Sequence, residues 1–78
     1  KETIARGIAN QIYREIQAAG KNKVSQNWLV NAIHVCIKAD KSVVDDITAL
    51  TIETLAGNTS GAVLRKTADG YERTVPMA

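Results

Sequence analysis

Ile4, Ile8, Ile12 and Ile16 recur at every fourth position at the head of this chain, and only a helix turns that spacing into a single apolar surface. On a helix of 3.6 residues per turn, each four-residue step drifts by about 40°. With Ala5, Ala9 and Tyr13 beside them, the isoleucines form one broad stripe, while Arg6, Asn10, Arg14 and Gln17 fall away from it. The pattern predicts a first helix over residues 2–19, closed by Gly20, where a positive φ is commonly needed. Gly7, inside this helix, costs about 1 kcal/mol relative to alanine, unless it admits a neighbouring backbone.

A polar connection, Lys21-Asn22-Lys23, follows. Ser25 is a good N-cap, and from Gln26 to about Ala39 the residues Leu29, Val30, Ile33, Cys36 and Ile37 share a helical face. Asp40-Lys41-Ser42 breaks this second helix. Ser42 and Asp45 have the spacing of a capping box, and Asp45 with Asp46 sets negative charge at the positive end of a helix dipole. A third helix over residues 43–56 then carries Val43, Val44, Ile47, Leu50 and Leu55 on its inner side. Thr48, Thr51, Ile52 and Thr54 favour a strand there instead, but the cap and the spacing decide for helix. Residues 57–61 are a loop by composition. Ala62–Thr67 and Tyr71–Val75 flank Asp69-Gly70, the signature of a β-hairpin, and Pro76 ends the second strand or places it at a sheet edge.

The fold class expected is therefore α+β: three short helices followed by a C-terminal β-hairpin. At 78 residues the chain is one domain, residues 1–78, because cores rarely divide below roughly 100 residues. It starts at Lys1, which reads as a domain of a longer protein. No apolar run approaches the roughly 20 residues of a membrane span, and the amino terminus lacks the apolar core of a signal peptide. Cys36, the one cysteine, cannot form an internal disulfide, so a reducing, intracellular and cytoplasmic setting is expected. Flanked by Val35 and Ile37, it reads as a buried thiol.

Three helices and a hairpin with Asp-Gly at its turn resemble the winged-helix variant of the helix-turn-helix. The likeness rests on Ile12 and Ile16 of the first helix, Val24-Ser25 with Leu29 and Ile33 of the second, and Ile47 and Leu50 of the third. Ala62 to Val75 corresponds to the wing. The resemblance implies nucleic-acid binding, with the third helix in the major groove and the wing in support; many members instead serve as protein-interaction domains.

Charge argues against the family's usual docking. The chain has a formal net charge of +2, but residues 42–57 hold Asp45, Asp46 and Glu53 and nothing basic. Residues 1–41 carry the positive excess. A DNA reader neutralises phosphates with Lys and Arg and reaches base edges with polar side chains. The surface that fits is led by the second helix and the wing: Lys21, Lys23, Gln26, Asn27, Asn31, Arg65, Lys66 and Arg73, with strand alternation placing Arg65 and Lys66 on opposite hairpin faces. The alternative is a protein-interaction or oligomerisation surface on the acidic third helix, through Asp45, Ala49, Ile52 and Glu53, unless Ile52 packs on the hairpin. Trp28 is expected to anchor the core beside the first helix, and Tyr71 to pack across the hairpin.

No catalytic, cofactor or metal site is legible. His34 and Cys36 are two residues apart, about 200° round a helix, and cannot act as a pair. One histidine and one cysteine fall short of a zinc ligand set. Ser25, Ser42 and Ser60 read as cap or loop residues, Asp45 and Asp46 diverge, and Gly57 and Gly61 lack the Lys-Ser/Thr of a phosphate loop. The expectation is a binding module rather than an enzyme.

Overall fold

The computed structural model describes residues 1–57 and 62–74. Its elements run α1 (Glu2–Ala18), β1 (Lys23–Ser25), α2 (Gln26–Val35), α3 (Lys41–Ala56), β2 (Leu64–Thr67) and β3 (Gly70–Arg73). Three helices followed by a C-terminal antiparallel strand pair make this a small α+β domain. The expected loop residues 58–61, and Val75 and Pro76 at the hairpin's end, lie outside the described residues.

The isoleucine stripe packs as its geometry dictates. Ile8, Ile12 and Ile16 are buried with Ala5 and Ala9, whereas Ile4 is 54% exposed. The accumulated drift explains the difference, since three steps of about 40° carry Ile4 roughly 120° from Ile16. At the C-terminal end, the Gly20 N–H bonds to Gln17 O (3.0 Å) and the Lys21 N–H to Ile16 O (3.1 Å). This paired closure requires a left-handed residue, and Gly20 has φ +66°.

Ser25 caps α2 as expected, its hydroxyl accepting the Trp28 N–H at 3.0 Å. The helix is shorter than residues 26–39, because its last turn tightens: the Cys36 N–H bonds to Ile33 O and the Ile37 N–H to His34 O. Such three-residue closure is common where an α-helix ends. Ile37 nevertheless stays packed against the core.

The third segment is a helix, with two corrections. It begins at Lys41 with Asp40 as N-cap and no side-chain cap bond, so Ser42 lies in the first turn and forms no capping box. Its buried face is Ile47, Thr48, Thr51 and Leu55, while Val43, Val44 and Leu50 are half-buried flanks. Thr51 is accommodated by donating its hydroxyl to Ile47 O at 2.7 Å, the bond that lets a helical threonine enter a core.

The short strand β1 falls where the sequence suggested only a polar connection. It pairs antiparallel with β3, which pairs with β2, giving the order β1-β3-β2. Val24 stands opposite Tyr71, and both are buried. The sheet thus closes the core with Val24, Tyr71 and Leu64 inward. The Arg73 N–H to Asn22 O bond (2.8 Å) ties β3 to the segment before β1, and the Val63 N–H to Leu55 O bond (3.0 Å) ties the segment before β2 to α3.

Candidate nucleic-acid interface

Pairing of β1 with β3 brings the junction before α2 onto the hairpin. Lys23 stands opposite Glu72, and Glu72 opposite Arg65. Directly opposite residues of an antiparallel pair share a face, so Lys23 and Arg65 project from the outer side of the sheet. Two strand spacings separate them, about 10 Å. Lys21 precedes β1 in the chain and Gln26 and Asn27 follow it, and all three are exposed. The Lys21 ammonium lies 5.6 Å from the Trp28 ring centroid, within cation–π range.

Asn31 is exposed but sits a turn further along α2. It lines a groove of about 580 Å³ between α1 and α2 together with Gln11, Trp28 and Val35. Trp28 is half-buried against the core, as its anchoring role requires. Cys36 is likewise half-buried rather than enclosed, with its thiol donating to Ala32 O at 3.4 Å. Lys66, opposite Tyr71, leaves the sheet from the other face, as alternation requires.

Arg73 departs from the expected set. It is 7% exposed, its Nη2 donates to Tyr13 Oη at 3.1 Å, and its guanidinium lies 5.4 Å from that ring's centroid. Two residues on from Tyr71, it shares the inward face of β3. In this position it holds the sheet to α1 and does not meet solvent phosphate.

The alternative surface is also altered. Asp45, Ala49 and Glu53 are exposed in a row at four-residue intervals along α3, but Ile52 is half-buried and packed against the core. Asp46 pairs with Lys1 at 3.1 Å. This face is acidic and lacks its proposed apolar contact.

Glu72 was not among the residues singled out from sequence, yet its Oε1 accepts from Arg65 Nε at 2.9 Å in the centre of the basic side. Alternation along two paired strands is the signal that joins them. Among the described residues, no group of three His, Cys, Asp or Glu side chains could hold a metal ion, and no helix is long and apolar enough to cross a membrane. No protein-family model, curated protein or solved structure matches the chain, so the functional reading rests on this geometry alone.

Proposed function

We propose that the chain is a winged-helix-like, DNA-binding module that meets nucleic acid with the β1–α2 junction and the hairpin, not with α3. The observation that carries this reading is the register Lys23–Glu72–Arg65 across β1, β3 and β2. It gathers Lys23 and Arg65, distant in sequence, on one side of the sheet, while Lys21, Gln26 and Asn27 are exposed at the chain positions that flank β1. Lysine and arginine supply the phosphate contacts, while amide side chains at the start of α2 are within the chemistry of base-edge recognition. The acidic row Asp45–Ala49–Glu53 supports the same docking by elimination, since carboxylates approaching a polyanion are repelled. That row also favours the second reading, a contact with a basic protein partner through α3.

Trp28 is the only tryptophan and lies beneath Lys21, so its emission reports displacement of that lysine. Titration with a short mixed-sequence duplex should change Trp28 fluorescence. If Lys21, Lys23 and Arg65 each reach a phosphate, log K should fall against log salt with a slope of about −2.7. Binding that is absent at low salt, or indifferent to salt, contradicts the reading.

A further inference from the structure

The outer side of the sheet carries one charged side chain per strand in a single row. Lys23 of β1, Glu72 of β3 and Arg65 of β2 are in register, and the only carboxylate of the three is the central one. Arg65 Nε donates to Glu72 Oε1 at 2.9 Å; the arginine side chain is 59% exposed and the glutamate 30%. The more enclosed acceptor thus occupies one edge of the guanidinium, while the rest of that group faces water. A phosphate oxygen and a carboxylate oxygen satisfy arginine in the same way, through charge-assisted N–H bonds. They compete for the same donors.

We infer that Glu72 is a built-in competitor for nucleic-acid phosphate, which must displace this carboxylate from Arg65 to engage the row. The inference rests on the nucleic-acid reading above and deepens it by assigning regulation of affinity to one residue. The contact is weak enough to be displaced: exposed ion pairs of this kind shift equilibria by about two- to fivefold. Glu72 therefore tunes the site rather than closing it. It also lowers the positive potential that Lys23 and Arg65 present together, which slows encounter with a polyanion.

The test is Glu72→Gln, which keeps the side chain's size and removes its charge. Duplex affinity at about 50 mM salt should rise roughly two- to fivefold, with the log–log salt slope little changed, because Arg65 reaches the same phosphate in both complexes. In an Arg65→Gln background the same substitution should give less than half that gain. The wild-type chain supplies an independent reading, because the Arg65 Nε–H resonance should shift on adding duplex as its acceptor changes from carboxylate to phosphate. If wild type and Glu72→Gln bind with equal affinity, or the Arg65 resonance stays fixed while backbone amides of Lys21–Asn27 move, the competitor role is overturned and the binding reading stands. If neither protein binds duplex at low salt, the binding reading itself fails and this inference falls with it.

Discussion

Arg73 shows how a single side chain can be misjudged by its type. Its guanidinium is buried against Tyr13 with Nη2 bonded, while Nε and Nη1 have no partner among the described residues. A buried cation so incompletely paired contributes less to stability than a well-packed apolar side chain of similar volume. Tyr13→Phe removes its one side-chain acceptor and should lower unfolding free energy by about 1.5–3 kcal/mol. Arg73→Met should change it by less than about 1 kcal/mol or raise it, and in that background the Tyr13→Phe cost should largely vanish. Urea denaturation of the two single variants and the double variant measures all three values. An equally large loss in both single variants that is additive in the double would refute the coupling. Arginine alone suggested a phosphate contact. The alternation with Tyr71 that points it inward was present in the sequence, but it needed the identity of the buried strand face to be read. Thr48 and Thr51 favour a strand by type, but Thr51 lies four residues from both Ile47 and Leu55 and Thr48 seven from Leu55, so both belong to the helix's inner face.

At the scale of elements, the two glycines of the first helical segment make opposite demands. Gly20 holds φ +66° and permits the paired bonds that end α1, so Gly20→Ala should destabilise by about 1 kcal/mol. Gly7 is exposed within the helix, and a Cβ added there would meet nothing within 4 Å, so Gly7→Ala should stabilise by about 0.5–1 kcal/mol. Thermal unfolding should then show shifts of opposite sign, each of roughly 4–8 °C per kcal/mol in a domain this small; shifts of the same sign would contradict the assignment. These elements were legible because each carries local signals: periodicity, a serine cap, a terminal glycine, an Asp-Gly turn. β1 was not. Lys23-Val24-Ser25 offers one apolar residue and no alternation long enough to register, and it is a strand because β3 pairs with it. Gly70 shows how close that pairing is, since a Cβ there would collide with the backbone of Val24 and Ser25. The boundary of α2 and the start of α3 were also displaced, where Asp40 rather than Ser42 takes the capping position.

At the scale of the molecule, the fold separates charge. The acidic row of α3 and the basic row crossing the sheet sit on different elements, and that separation was visible in the sequence as an excess of positive charge before residue 42 and a negative block after it. What the sequence did not hold was the juxtaposition of Lys23 with Arg65, because it depends on β1, nor the carboxylate of Glu72 between them. Association with nucleic acid should accordingly be local to one side of the domain. Amide and arginine NMR spectra of the labelled protein, titrated at low salt with a short mixed-sequence duplex, measure that directly. The expected result is shifts confined to Lys21–Asn31 and Arg65–Glu72, reversed by added salt, with Asp45–Glu53 of α3 unmoved. Shifts centred on α3, or none at all, would contradict the account.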